Sequence, residues 1–139
     1  MGMSFETALI QLERYLSKSW RQYAQQDPLS SLSFNEYDYL LVLIESDTPM
    51  RLTDLAQEMK VSKPSASNMV SRLQKKGLVE RQFSPEDSRV KRVALTQQAK
   101  EQLSEQAPVY KQISNSLSKN LSADEAQTLT RLLLKATQS

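Results

Sequence analysis

The stretch Val61-Ser62-Lys63-Pro64-Ser65-Ala66-Ser67-Asn68-Met69-Val70-Ser71-Arg72-Leu73-Gln74-Lys75-Lys76-Gly77 decides how the rest of this chain is read. Ser62 stands where a hydroxyl can accept from the free amides of a first helical turn. Pro64 falls inside that turn, where its missing N–H costs little. Ala66, Met69, Val70 and Leu73 then recur at three- and four-residue steps, which predicts an inward stripe. Gly77, the only glycine besides Gly2, sits where a left-handed residue would end the helix. At about 100° per residue the opposite side carries Ser65, Ser67, Asn68, Ser71, Arg72 and Lys75. Serine and asparagine are mediocre helix formers, so an exposed face filled with them sacrifices stability that alanine, glutamate or lysine would supply. Such short polar side chains let a backbone lie deep in a DNA major groove. Asn68 matches an adenine edge and Arg72 a guanine edge. Lys63 at one end, and Lys75 and Lys76 at the other, are placed to meet phosphates. From these residues alone, a face merely wetted by solvent stays open as the plain alternative.

Working outward, Leu52, Leu55, Ala56 and Met59 predict a short helix just before this one, with a tight turn between. Ser33 and Glu36 have capping-box spacing ahead of Tyr37, Leu40, Leu41 and Ile44, a helix stopped by Asp47-Thr48-Pro49. A first helix is expected over about residues 4–25, carrying Phe5, Leu9, Leu12, Leu16, Trp20 and Tyr23 and broken at Asp27-Pro28. Beyond Gly77 the period changes. Leu78 to Phe83 and Arg89 to Leu95 read as a two-stranded hairpin with a polar tip, with Lys91, Val93 and Leu95 on one face. Thr96 then caps a long helix through Leu103, Tyr110, Ile113, Leu117 and Leu121, in which Pro108 should bend or locally open the backbone. Ser122 and Glu125 start a last helix bearing Leu129, Leu132 and Leu133. The expected order is four helices, a hairpin, then two helices, in one domain of 139 residues.

Charge separates the middle of the chain from its ends. Between Lys60 and Arg92 there are nine bases (Lys60, Lys63, Arg72, Lys75, Lys76, Arg81, Arg89, Lys91, Arg92) and three acids (Glu80, Glu86, Asp87), a net of +6. The remainder, with nine bases and thirteen acids, carries −4. A field confined to one segment is the footprint expected of nucleic-acid binding. What is missing narrows the chemistry. With no cysteine and no histidine, thiolate catalysis, disulfides, His-based triads and nearly all transition-metal sites are excluded. Two glycines cannot build a phosphate-cradling loop. The acids are scattered along solvent faces, so no enzyme activity, cofactor or metal is expected. Neither a membrane span nor a secretory leader is visible, which points to the cytoplasm.

A short helix, a tight turn, a helix with a polar face and a basic hairpin together make a winged helix-turn-helix. At this point the sequence resembles the MarR family of bacterial transcriptional regulators. The matching residues are Leu52-Thr53-Asp54-Leu55-Ala56, Val61-Ser62-Lys63, Leu73-Gln74-Lys75-Lys76-Gly77-Leu78-Val79-Glu80-Arg81, Asp87-Ser88-Arg89 and Val93-Ala94-Leu95-Thr96. Lys60 and Ala99 depart from the family pattern, each standing where a glycine is common.

The resemblance implies a mainly α fold forming an interlocked helical homodimer. Its DNA-binding lobe would span residues 34–96, with dimerisation helices at 4–25 and 97–138. It implies a regulator, expected to be a repressor, on a pseudo-palindromic operator. The DNA-binding candidates are Thr53, Ser62, Lys63, Ser65, Ser67, Asn68, Ser71, Arg72 and Lys75, with Asp87, Arg89, Lys91 and Arg92 on the wing. Arg89 would enter the minor groove, with Asp87 orienting it or a neighbouring arginine, while Lys91 and Arg92 are candidate phosphate contacts. Leu9, Leu12, Leu16, Leu117, Leu121, Leu129, Leu132 and Leu133 would overfill one small core, which fits burial between two copies. Release by a small-molecule effector is a further expectation, with Tyr15, Trp20, Tyr37, Tyr39 and Tyr110 as pocket candidates, although helix aromatics are more often core. The competing readings are a winged-helix protein-interaction module and a nonspecific architectural DNA binder.

Overall fold

A computed structural model of the chain describes residues 4–23, 32–46, 48–83, 86, 91–104 and 108–138. In order, the elements are α1 (Phe5–Tyr23), α2 (Phe34–Glu45), β1 (Met50–Arg51), α3 (Leu52–Met59), α4 (Lys63–Lys75), β2 (Val79–Phe83), β3 (Lys91–Leu95), α5 (Gln97–Ser104), α6 (Pro108–Ser118) and α7 (Ala123–Thr137). They fall into two compact units, Pro28–Gln106 and Met1–Asp27 with Ala107–Ser139.

Local signals set the helix ends in the first of these, the winged unit. Ser33 and Glu36 form a complete capping box at α2, each side chain accepting from the other's backbone N–H at 3.1 Å. Ser62 caps α4 by accepting from the Ser65 amide at 3.2 Å, and Pro64 lies in the first turn. At the far end Gly77 has φ +75°. The Leu78 N–H reaches back to the Leu73 carbonyl and the Gly77 N–H to that of Gln74, the paired bonds of a Schellman ending. A Cβ at Gly77 would meet only Gln98 Oε1, at an ordinary 3.5 Å, so backbone conformation and not space calls for glycine here.

Thr96 ties the end of the sheet to this turn. Its hydroxyl donates to the Gly77 carbonyl at 2.7 Å and accepts from the Ala99 amide at the start of α5. The buried stripe of α4 (Ala66, Met69, Val70, Leu73) joins Tyr37, Leu40, Leu55, Val79 and Val93 in the core. By area bookkeeping, burying each large side chain contributes about 1.5–3 kcal/mol.

Two features differ from the sequence expectation. The sheet has three strands in the order β1-β3-β2, all antiparallel, because Met50 and Arg51 pair with Val93 and Arg92. A strand of two residues has no periodicity to read. Of the long helix expected after Thr96, α5 and α6 are helical, and residues 105–107 between them lie outside the described residues. Contacts place α5 in the winged unit, where Ala99 and Leu103 are buried, whereas the sequence reading counts it among the terminal helices.

In the terminal unit α1 packs against α6. The Trp20 ring meets Tyr110 edge to face, with centroids 6.1 Å apart, and the Tyr15 and Ser116 hydroxyls are hydrogen-bonded. Val109 and Ile113 are buried. The last helix, α7, opens with a second complete capping box from Ser122 and Glu125, yet buries none of its residues. None of the helices is long and apolar enough to cross a membrane, among the described residues.

Candidate nucleic-acid interface

The polar side of α4 is set by what its other side must bury. With the core stripe fixed, Ser65, Asn68, Arg72 and Lys75 are exposed, together with Ser62 and Lys63 at the N-terminal end. The Ser62 hydroxyl also donates to that of Ser65 at 2.9 Å, so the cap residue arranges the first hydroxyl of the face. Ser67 and Ser71 lie on the flank toward the wing and are half-buried.

That flank is organised by a residue missing from the sequence-based candidates. Arg81 reaches from the middle of β2 to α4. Its Nη2 donates to the Ser67 carbonyl at 3.0 Å, the Ser67 hydroxyl at 3.2 Å and the Ser71 hydroxyl at 3.1 Å. Strand alternation explains its direction, since Arg81 shares a face with buried Val79 and sits in register with buried Val93. Alternation was the available signal. It gives the face of the strand but not the helix lying across it.

Between α3, α4 and the sheet is a cleft of about 610 Å³ lined by Arg51, Thr53, Lys63, Ser67, Arg81 and Lys91, with Val93 among its apolar walls. Among the described residues its lining holds four cations and no acid. Charge concentrated in a concave, partly apolar setting focuses potential and attracts polyanions. Arg51 is a second addition to the expected set, brought in by the short strand β1. Across the β1–β3 ladder it lies opposite Arg92, a like-charge pairing that works against sheet stability. Arg92 is half-buried and alternates to the other face of β3 from Lys91.

Lys76 behaves differently from its expected role at a phosphate. Its Nζ lies 2.8 Å from Glu36 Oε2, whose side chain is only 7% exposed. A carboxylate so enclosed requires a cation, and the residue just past α4 supplies it. Burial pushes the Glu36 carboxyl upward, but the Lys76 hydrogen bond, the Ser33 amide and the Lys76 charge together hold it below its ordinary value. The pair thus joins the start of α2 to the end of α4. Tyr39 is shifted upward by burial and by the nearby Asp38 charge.

The wing-tip candidates Asp87 and Arg89 lie outside the described residues. Of the five aromatic pocket candidates, Tyr37 and Tyr39 are in the winged unit's core, whereas Tyr15, Trp20 and Tyr110 belong to the terminal unit. None of the five lines the basic cleft. No group of three or more histidine, cysteine, aspartate or glutamate residues could hold a metal, among the described residues.

Comparison with known proteins places this geometry. Residues 30–90, which include α2 through β2, match the model of the MarR family. Among solved structures, the reduced form of MarR from E. coli superposes with a TM-score of 0.81 at 24% identity, covering 99% of each chain. The apo form of wild-type E. coli MarR gives 0.80, also at 24% identity and 99% coverage of each chain. A MepR–DNA complex from S. aureus gives 0.76 at 18% identity, covering 97% of each chain. Residues 30–90 are therefore a winged helix-turn-helix segment of the MarR family, and the chain as a whole has the fold of these solved MarR and MepR proteins.

Proposed function

We propose that this protein is a sequence-specific DNA-binding transcriptional regulator that acts as a homodimer on a pseudo-palindromic operator. One observation carries the reading. The exposed side of α4 holds hydrogen-bonding and cationic side chains of the length that fits a major groove, beside a cleft lined by four cations. Asn68 and Arg72 are assigned to base edges, and Lys63, Lys75 and Lys91 to phosphates. Control would come from occupying promoter DNA, without catalysis, which makes repression in the cytoplasm the simplest outcome. That MepR has been solved with DNA supports the assignment of the interface.

The second copy is inferred from the terminal unit, where Leu9, Leu16, Leu129, Leu132 and Leu133 remain exposed in the single chain and Leu12, Leu117 and Leu121 are half-buried. An apolar surface of that extent calls for a protein partner, and a two-fold partner suits a two-fold operator. Small-molecule release enters this reading from the family resemblance.

Selection of bound sequences from random duplex DNA with the purified full-length protein tests the proposal. It should enrich a two-fold motif with half-sites about 10 base pairs apart, centre to centre. Affinity for that motif should exceed that for random DNA by about a thousandfold or more at physiological salt. Binding without an enriched motif would reassign the protein to nonspecific DNA binding, and absence of binding would remove nucleic acid from its function.

A further inference from the structure

The geometry points to Phe83 as a non-ionic contact of the wing with DNA, its ring packed on a deoxyribose beside the phosphates that the neighbouring cations bind. The inference rests on the basic cleft being the surface that meets nucleic acid.

A single exposed hydrophobic side chain is ordinary on a protein surface, so position has to carry the case. Phe83 ends β2 and, at 60% exposed, is the barest large hydrophobic side chain described in the winged unit. Strand alternation puts it on the face of β2 that carries Val79 and Arg81. That face closes on α4, since Val79 is buried and Arg81 donates to Ser67 and Ser71. The ladder along it runs from Val79 opposite Leu95, both buried, through Arg81 opposite Val93 to Phe83 opposite Lys91. Apolar surface thus reappears at the open end of the face, where the core no longer covers it. Cross-strand partners stand about 5 Å apart at Cβ, and residues two apart on a strand about 7 Å. The ring therefore has Lys91 across the ladder and Arg81 on its own strand, and both of these cations line the cleft.

A wholly apolar partner on this ring would take both charges out of water without pairing them. A DNA strand offers what the three side chains need together. Its phosphates pair with the cations, and the deoxyribose between them presents a C–H surface with no hydrogen-bonding group to leave unsatisfied. Such a contact has its own signature. It displaces no counterion, so it leaves the salt dependence alone. It touches no base edge, so it carries no sequence preference. It buries apolar surface, so it makes the heat capacity change of binding more negative.

The test titrates full-length protein with the operator found by selection and with random duplex DNA across salt concentrations. Phe83→Ala should bind both about tenfold more weakly, the worth of burying most of an aromatic side chain. Its slope of log affinity against log salt should match wild type, and its heat capacity change of binding should be less negative. Phe83→Leu, which keeps most of the apolar area, should recover most of the lost affinity. Because the ring is exposed in the folded chain, both variants should unfold near the wild-type temperature.

The inference is overturned if Phe83→Ala binds both DNAs at wild-type strength, if it loses affinity for the operator alone, or if its salt slope changes. Lys91→Ala separates the two levels. A shallower salt slope there alongside any of those results defeats the role of Phe83 alone. Wild-type binding by both Lys91→Ala and Arg72→Ala as well would take DNA away from this surface.

Discussion

Helices α4 and α7 are both amphipathic and both begin at a serine cap, yet they leave opposite kinds of surface bare. α4 buries Ala66, Met69, Val70 and Leu73 and exposes Asn68, Arg72 and Lys75. α7 buries nothing, and its Leu129, Leu132, Leu133 and Leu134 are between 44% and 62% exposed. Helix stability within the chain accounts for the first arrangement on the inward side only, and for the second hardly at all. An exposed face that forgoes good helix formers for serine and asparagine suits a polar, charged partner. An exposed leucine stripe suits a partner that removes it from water. One chain therefore presents two surfaces that need different partners.

The strongest way to break the comparison is to charge the leucine stripe. Leu129→Asp combined with Leu133→Asp should weaken self-association at least about a hundredfold, since burying each leucine is worth about 1.5–3 kcal/mol and a buried unpaired carboxylate adds to the loss. Sedimentation equilibrium reads this directly. Because these residues are exposed in the single chain, the circular dichroism of the variant should stay helical. A wild-type association constant would mean that α7 is not where the second copy binds.

On α4 the expected effects are smaller and differ by position. Arg72→Ala should cost about 1–3 kcal/mol of operator binding and relax preference at one base pair. By contrast, Lys91→Ala should weaken every sequence alike and make the dependence of log affinity on log salt shallower by about one. Titrations of operator and random DNA across salt concentrations separate the two. Equal behaviour of both variants would erase the distinction between reading and positioning contacts on this face.

The Glu36–Lys76 pair tests how firmly α4 is anchored behind that face. Glu36→Gln keeps an oxygen for the Ser33 amide but removes the charge, and should cost about 1–2 kcal/mol at neutral pH. A carboxyl held low in the folded state stabilises the fold above its ordinary range, about 4.3. That contribution is lost as pH falls through the folded value. Denaturation of both proteins from pH 7 downward should therefore show curves that converge in acid. Curves that stay parallel would mean that the pair contributes no net stability.

Most helix ends were legible because their signals are local. Ser33 with Glu36, Ser62 with Pro64, Gly77, and Ser122 with Glu125 each act within a few residues, and all are realised as caps or stops. The exposed side of α4 was legible for a similar reason, since its register follows from Ala66, Met69, Val70 and Leu73. What escaped depends on pairing between distant segments. β1 exists only because Met50 and Arg51 meet Val93 and Arg92, and with it Arg51 enters the cleft. Arg81 looked like one more base on a hairpin until the sheet was laid across α4. Lys76 stood in a basic run beside Lys75, and nothing in that run shows the carboxylate forty positions earlier that it neutralises.

The smallest effect concerns the turn that delivers α4 to its position. Lys60 has φ 56° and ψ 46°, the left-handed region, with its N–H bonded to the Ala56 and Gln57 carbonyls. A residue with a Cβ pays about 1–2 kcal/mol there, and glycine returns part of that gain through the larger entropy of its unfolded chain. Lys60→Gly should therefore raise stability by about 0.5–1 kcal/mol, and Lys60→Asn, which tolerates this conformation better than lysine, by less. Thermal unfolding gives the order. The same two variants sharpen the contrast between the helices, because both remove a positive charge next to the start of α4 while leaving α7 untouched. If both lose operator affinity and the salt slope flattens equally, Lys60 is retained for its charge at the DNA face despite the strain. If Lys60→Gly alone loses affinity while gaining stability, the stiff turn itself holds α4 at the angle the groove requires.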